Sequence, residues 1–236
     1  FVDIDGPDAL EHGLDVFGGR GILKTRRFGY DGKGQWRINA DTDWRQNSAQ
    51  MLAQPAILER IIPFSRELSV IIARGADGQT ACYPPIENQH ENHILRRSIM
   101  PAQVDAGQAE AARHIGETIV ARLDYVGILG VELFDTAEGL IINEIAPRVH
   151  NSGHVTADAC AVGQFEQHIR AITGWPLGTT APHSHGEMTN ILGHEIDNWT
   201  EFVGSPDTCV HLYGKPQARK ERKMGHIVRL SPLSKN

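Results

Sequence analysis

Short apolar runs separated by glycine- and proline-bearing turns dominate this chain, with a few stretches at helical spacing between them. Asp5-Gly6-Pro7 opens a helix, with proline at its first position and Ala9, Leu10, Leu14 and Phe17 on one face before Gly18-Gly19 stops it. Gly21–Lys24 follows as a strand. Asp41 or Thr42 is positioned to cap a helix over 43–53, and Pro55–Ile62 and Glu67–Arg74 read as strands. Asp77-Gly78 is a hairpin signal leading into a strand over 79–83; segment 85–93 is polar, and 95–99 is strand-like again. Asp105 and Gln108 have capping-box spacing, and the helix they open runs to about Leu123 with Ala112, Ile115, Ile119 and Leu123 on one stripe. Residues 155–173 read as helix, with Phe165, Ile169 and Ile172 facing in and Gly174-Trp175-Pro176 as the stop. Met188–Gly193, Val210–Tyr213 and His226–Leu230 are short strand-like runs.

Between the third and fourth helical stretches lies the most informative segment. Gly127–Phe134 and Leu140–Ile145 flank a polar loop ending in Gly139, which predicts a hairpin. With Ala137-Glu138-Gly139 as a three-residue turn, Thr136 pairs with Leu140 and Glu132 falls opposite Glu144, their Cβ atoms roughly 4.5–5.5 Å apart. Two facing carboxylates on apolar strands repel and are costly to bury. A hard divalent cation with oxygen ligands removes that conflict, and Mg²⁺ bridging to phosphate is the usual case. The alternative is a register one residue different, with both acids in solvent. The hairpin exits into Arg148-Val149-His150-Asn151-Ser152-Gly153-His154, too polar for another core strand and the place to expect a substrate. Upstream, Gly29, Gly32 and Gly34 lie within six residues of one another, which suits a nest of backbone N–H groups around phosphates. The spacing fits neither G-x-G-x-x-G nor G-x-x-x-x-G-K-[ST]. An ordinary turn between strand 21–25 and a strand over 35–39 accounts for it equally well.

Composition narrows the class. A net charge of −6 argues against a nucleic-acid or anionic-membrane surface. Cys82, Cys160 and Cys209 are few, scattered and odd in number, which fits a reduced, cytoplasmic setting. No apolar run approaches the roughly 20 residues of a membrane helix. Of the twelve histidines, His90/His93, His150/His154 and His183/His185 have ligand-like spacing, yet no H-E-x-x-H occurs and zinc is disfavoured. Asn151-Ser152-Gly153 does not supply a G-x-S-x-G elbow, and Cys160 sits on a predicted helix. The basic cluster Lys215, Arg219, Lys220, Arg222 and Lys223 is either a solvated loop or a grip for a phosphate-bearing substrate. The chain begins at Phe1 without methionine and reads as a fragment of a longer protein.

LKTRRFGYDGKGQ and LIINEIAPRVHNSGH resemble the ATP-grasp superfamily, and within it the ligases that carboxylate aminoimidazole ribonucleotide with ATP and bicarbonate. YPPIENQHENHILRRSIMPA and RKMGHI extend the likeness over nearly the whole chain. The continuation after N-E in NEIAPRVHNSGH is its specific part. The resemblance implies an α+β fold of two β-rich lobes with helices and a nucleotide between them, plus part of a small C-terminal β-rich domain. The expected divisions are 1–62, 63–195 and 196–236, with the family's N-terminal domain lacking. It also implies that Lys24 and the loop Gly29, Tyr30, Asp31, Gly32, Lys33, Gly34 and Gln35 hold the ATP phosphates. Glu59, Arg60, Ile61 and Ile62 would meet adenine through backbone groups, Glu67 the ribose, and His90 the nucleotide. Glu132 and Glu144, with Asn143 beside them, would coordinate Mg²⁺. Arg148, His150 and Asn151 would surround bicarbonate and the carboxyphosphate formed from it, with Tyr30 and Lys33 closing over. Lys215 and Arg222 would grip the ribonucleotide. A homodimer is expected of the full-length form, and weak or no turnover of a chain of this extent. Phe28 departs from the family pattern, which has a further glycine there. The competing expectations are a non-catalytic ATP-binding remnant and a sister ligase with another acceptor.

Overall fold

The computed structural model describes residues 1–27, 34–39 and 41–233. It divides into two compact units, Phe1–Pro63 and Phe64–Asn236. The first comprises β1 (Val2–Ile4), α1 (Pro7–Val16), β2 (Gly21–Thr25), β3 (Gln35–Ile38), α2 (Ser48–Met51) and β4 (Ala56–Glu59). Its sheet has the antiparallel order β1-β4-β2-β3. Leu10 and Leu14 of α1 pack with Ile4, Leu23, Ile38 and Leu58, the inward positions of the strands. Only a 3₁₀ turn over Trp44–Asn47 and the single turn of α2 stand where a helix over 43–53 was expected. No side chain caps either of them, because the Thr42 hydroxyl accepts the Asn39 backbone N–H at 3.0 Å and closes the preceding turn instead. β4 stops at Glu59, so Arg60, Ile61 and Ile62 lie beyond the strand. β2 pairs antiparallel with β3. Phe28, Gly29, Tyr30, Asp31, Gly32 and Lys33 lie outside the described residues.

The second unit contains β5 (Arg66–Arg74), β6 (Thr80–Cys82), β7 (Ile86–Glu91), β8 (Ile94–Met100), α3 (Ala106–Arg122), β9 (Gly127–Thr136) and β10 (Gly139–Ala146). α4 (Thr156–Ala159), α5 (Gln164–Thr173), β11 (His185–Leu192), α6 (Trp199–Phe202), β12 (Thr208–Leu212) and β13 (Lys223–Ser231) complete it. Its nine-stranded sheet runs β10-β9-β5-β7-β8-β11-β13-β12, with β6 on β5. One face, through Leu68, Val70, Leu129, Val131 and Leu133, packs on α3. The other packs Ile71, Ile86, Ile128, Met188 and Val228 against Val155 and Ala159. Residues 196–236 do not form a third compact unit, since β13 pairs along β11 and carries β12 into the same sheet.

Three other expectations change. Of the expected stripe of α3, Ala112 is buried and Ile115 and Ile119 pack half-buried against the core beside Gly116 and Val120, while Leu123 is exposed. Its cap is half a box: Asp105 accepts the Gln108 N–H at 2.9 Å, but the Gln108 amide reaches Asp135 at 3.0 Å instead of returning to the cap. Segment 155–173 is interrupted after Ala159, and α5 buries Gln164, Gln167 and Ala171 while Phe165, Ile169 and Ile172 are exposed. The buried amides make this possible, because the Gln167 side chain pairs with both backbone groups of Gly178 at 2.8 Å. The polar segment 85–93 contains β7, whose inward residue Asn88 replaces an apolar one and is hydrogen-bonded on both sides.

Candidate active site

The hairpin β9–β10 reaches the expected facing of Glu132 and Glu144 by a different route. Thr136 pairs with Gly139, so Ala137-Glu138 is a two-residue turn; Leu140, Ile141 and Ile142 then pair with Asp135, Phe134 and Leu133. In regular register Asn143 would come next, opposite Glu132. A β-bulge intervenes, and Glu144 stands opposite Glu132. A bulge sets two consecutive residues against one on the partner strand. Asn143 therefore stays at the acids, its amide nitrogen 3.3 Å from Glu132 Oε2.

Neighbouring strands continue the polar row. Ser69 of β5 pairs with Glu132, Glu67 pairs with Asn88 of β7, and Asn88 pairs with Ser98 of β8. Glu67, Ser69, Asn88 and Glu132 thus share one face. His90, two residues beyond Asn88, is ion-paired with Glu67. Burial disfavours a charge on His90, but the hydrogen bond to Glu67 and the charges of Glu67 and Glu132 outweigh it and raise its pKa.

His150 arrives from the segment after β10, its Nε2 3.2 Å from Glu132 Oε1. Burial works against a charge at Glu132, yet the hydrogen bond from His150 and the nearby cationic groups prevail and lower its pKa, which keeps it an anion at neutral pH. Gly130 makes room for the imidazole, since a Cβ there would lie 2.9 Å from His150 Cβ. The Gln164 amide accepts the His150 N–H at 3.0 Å and donates to the His150 carbonyl at 2.7 Å. His150 Nδ1 meets Ser152 Oγ at 2.8 Å, and Ser152 Oγ meets Ser69 Oγ at 2.7 Å. Ser152, His150 and Glu132 have the order of a hydrolase triad, but Ser152 is fully buried and no substrate can reach its hydroxyl. Asn151 makes a reciprocal amide pair with Asn190 at 2.8 and 3.2 Å, and Asn190 also donates to the Leu95 carbonyl. Arg148 is exposed and donates to the Val149 carbonyl at 2.9 Å.

The other expected residues have these settings. Lys24 Nζ is 2.7 Å from Glu59 Oε2 across β2 and β4, so the Glu59 side chain answers the lysine charge. Gly34 precedes the return strand and Gln35 opens it, paired to Lys24. Arg60 lies over the Phe17 ring at 5.4 Å. Lys215 Nζ donates to the Lys223 carbonyl at 2.5 Å and sits 5.2 Å from the Tyr213 ring, while Arg222 donates to the Gln217 carbonyl at 2.9 Å. Both cations brace the segment between β12 and β13.

The histidine pairs singled out by spacing do not act as pairs. His90 turns to Glu67, His150 to Glu132 and Ser152, and His154 to Gln164 at 2.7 Å. A different cluster forms instead: Asp158 2.8 Å from His211 Nε2, with His211 stacked on His226 at 4.5 Å. The two rings lie 17° from parallel, so their in-plane lone pairs do not converge on one ion. Burial and the neighbouring histidines push the pKa of His226 down to about 3, and burial with the charges around it takes His154 to about 4. Burial raises the thiols of Cys82 and Cys160 to about 12 and about 11, which keeps both protonated and unreactive at neutral pH. Ser69, Asn88, Ser98, Gln164 and Asn190 were not anticipated; the legible signal was a serine inside the apolar run ELSVIIAR.

Residues 1–165 match the ATP-grasp domain family and residues 187–234 the phosphoribosylaminoimidazole carboxylase C-terminal domain. The chain belongs to the ATP-grasp family. Within it, the chain is similar to the N5-carboxyaminoimidazole ribonucleotide synthases. It is 47% identical over 232 residues to that of Brucella melitensis, covering 97% of this chain and 64% of the relative. With that of Bacillus subtilis it shares 44% over 210 residues, covering 87% and 55%. An ADP complex of an N5-carboxyaminoimidazole ribonucleotide synthetase superposes with a TM-score of 0.92 at 40% identity, over 97% of this chain and 61% of that one. The Aspergillus clavatus synthase in complex with ADP and 5-aminoimidazole ribonucleotide gives 0.90 at 29%, over 98% and 64%. The chain thus spans less than two thirds of the length of each of these relatives. Among the described residues no helix is long and apolar enough to cross a membrane.

Proposed function

We propose that this chain is the nucleotide-handling part of a ligase that uses ATP and bicarbonate to carboxylate 5-aminoimidazole ribonucleotide, giving N5-carboxyaminoimidazole ribonucleotide, ADP and phosphate in purine biosynthesis. The observation that carries it is the bulged hairpin, which sets Asn143 and Glu144 against Glu132 beside His150. Two carboxylates and an amide are hard oxygen donors suited to Mg²⁺, and Glu132 is held as an anion. Glu132, Glu144 and Asn143 would hold the ion, which when bound neutralises phosphate charge. The likeness to relatives crystallised with ADP and with the ribonucleotide supports the same assignment.

The residue roles are those that the resemblance implies. In the first unit, Lys24 and the glycine-bearing loop Gly29–Gln35 are assigned to the ATP phosphates, and Glu59–Ile62 to adenine through backbone groups. Lys24 then exchanges its carboxylate partner Glu59 for phosphate oxygens. In the second, Glu67 and His90 are assigned to the nucleoside and its phosphates. Bicarbonate is a poor nucleophile toward a polyanion, so cations and hydrogen-bond donors must offset charge as its oxygen attacks the γ-phosphorus and ADP leaves. Arg148, His150 and Asn151 are the groups we assign to that task, with Tyr30 and Lys33 excluding water from the carboxyphosphate formed. The ribonucleotide amine then attacks the carboxyl carbon and phosphate departs, Lys215 and Arg222 holding the ribonucleotide. Three free thiols favour a reduced, cytoplasmic setting, and the resemblance favours a homodimer for the full-length form.

The test is ADP release by the full-length gene product with MgATP and bicarbonate. Strong stimulation by aminoimidazole ribonucleotide is expected, and Glu144→Gln should abolish release while leaving the circular-dichroism spectrum unchanged. Nucleotide binding without stimulated turnover would favour the remnant; stimulation by a different amine would favour the sister ligase; near-normal turnover of Glu144→Gln would remove the metal assignment.

A further inference from the structure

A continuous file of side chains runs from Glu132 into the sheet: Glu132, His150, Ser152, Ser69, Asn88 and Ser98, each linked to the next by one hydrogen bond of 2.7–3.2 Å. Four strands and the segment after β10 contribute to it. Ser69, Ser98 and Ser152 are fully buried and Asn88 nearly so, so water cannot substitute for a missing partner.

The orientation of the Asn88 amide sets the direction of the file. Ser98 Oγ donates to Asn88 Oδ1 at 2.8 Å, and Asn88 Nδ2 donates to Ser69 Oγ at 3.0 Å. Ser69 accepts a hydrogen bond on one side, and its own O–H has Ser152 Oγ as its partner at 2.7 Å. Reversing that bond would leave the buried Ser69 proton unpaired, at a cost of about 1–3 kcal/mol. Ser152 therefore accepts from Ser69 and donates to His150 Nδ1. An imidazole nitrogen that accepts carries no proton, so in the neutral ring the proton is on Nε2, aimed at Glu132.

We propose that Ser152, Ser69 and Asn88 are positioning residues that lock His150 in its Nε2–H tautomer, so that His150 presents a hydrogen-bond donor, and not a base, at the site face. In the structure that donor meets the Glu132 carboxylate; a bicarbonate or phosphoryl oxygen is an acceptor of the same kind and would take its place. Its kinetic consequence rests on the carboxylase reading above; the tautomer itself does not. The file also explains why a serine interrupts the apolar core of β5 and why an asparagine stands at an inward position of β7.

The test is ¹⁵N NMR of histidine-labelled full-length protein without substrate, with His150 assigned by its absence in His150→Gln. Wild type is expected to show a protonated Nε2 and a bare Nδ1. Asn88→Asp, nearly isosteric, turns the amide into an acceptor toward both Ser98 and Ser69 and should reverse the file, moving the proton to Nδ1. Should that variant fail to fold, Ser152→Ala is the second: it frees Nδ1 and should give a mixture of tautomers. In ribonucleotide-stimulated ADP release, Ser152→Ala should lower kcat on the order of tenfold with KM for ATP within about twofold, because the serine touches neither nucleotide nor metal ligand. A protonated Nδ1 in wild type, or an unchanged tautomer in both variants, would overturn the proposal. The expected tautomers without stimulated turnover in wild type would leave the file standing and remove the carboxylase reading instead.

Discussion

His226, buried, and His154, half-buried, are neutral rings in a cluster with His211, Tyr213 and Phe165. Their folded pKa values near 4 and 3 lie below the roughly 6.5 of an unfolded histidine. Between those limits the unfolded chain binds protons that the folded one refuses, so stability falls as pH falls. Two such groups give a slope approaching about 2.7 kcal/mol per pH unit. His90, whose pKa is raised, works in the opposite sense, so the contribution is best read as a difference. The urea midpoint of wild type should drop between pH 6.5 and 5, and that of His226→Gln should drop by about half as much; parallel curves would show that His226 is already charged in the fold. At this scale much was legible. Glu132, Glu144, Asn143 and His150 were singled out from spacing and resemblance; Asn143 and His150 both meet Glu132, and Glu144 stands opposite it in the ladder. The buried serines and amides were not legible, because a polar residue inside a strand shows its partner only once distant strands are aligned.

The hairpin β9–β10 shows how an element can satisfy an expectation by another geometry. A three-residue turn without a bulge and a two-residue turn with one both bring Glu144 to Glu132. The flanking pattern is the same in both, and nothing local in Ala137-Glu138-Gly139 separates them. Deleting Asn143 should regularise the ladder, keeping Ile142 opposite Leu133 and Glu144 opposite Glu132. The variant is expected to melt within a few degrees of wild type, a shift of about 1 kcal/mol or less, yet to lose at least tenfold in ADP release by the full-length protein. Normal turnover would mean that the amide at 143 has no part in the site. Element α5 teaches the opposite lesson. Phe165, Ile169 and Ile172 form an apolar stripe that periodicity assigns to the core, but the buried face carries Gln164, Gln167 and Ala171. Amides that satisfy backbone groups at His150 and Gly178 outrank hydrophobicity there.

At the scale of the molecule, the second unit holds two hydrophobic clusters of its own on opposite faces of its sheet. All strand pairings of that sheet lie within Phe64–Ser231. A chain of residues 64–236 is therefore expected to fold alone with a single cooperative urea transition; a broad, non-cooperative loss of ellipticity would show that the first unit is required. Near the expected boundary at 195 the chain passes into a segment, 187–234, that matches a C-terminal domain family of its own, yet antiparallel pairing with β11 draws its last strands into the existing sheet, so it is not a separate compact unit. That sheet does not close into a barrel, and β10 is one of its end strands, with Ile141, Ile142 and Ile145 exposed. An open apolar rim of this kind invites a stray strand to add on, and an irregularity in the rim is one way chains resist it. The extra residue at Asn143 interrupts the even spacing of outward N–H and C=O groups midway along β10, so a strand docking from Leu140 loses register before it reaches Ile145. An edge interrupted in this way is a poorer template for strand addition than a regular one.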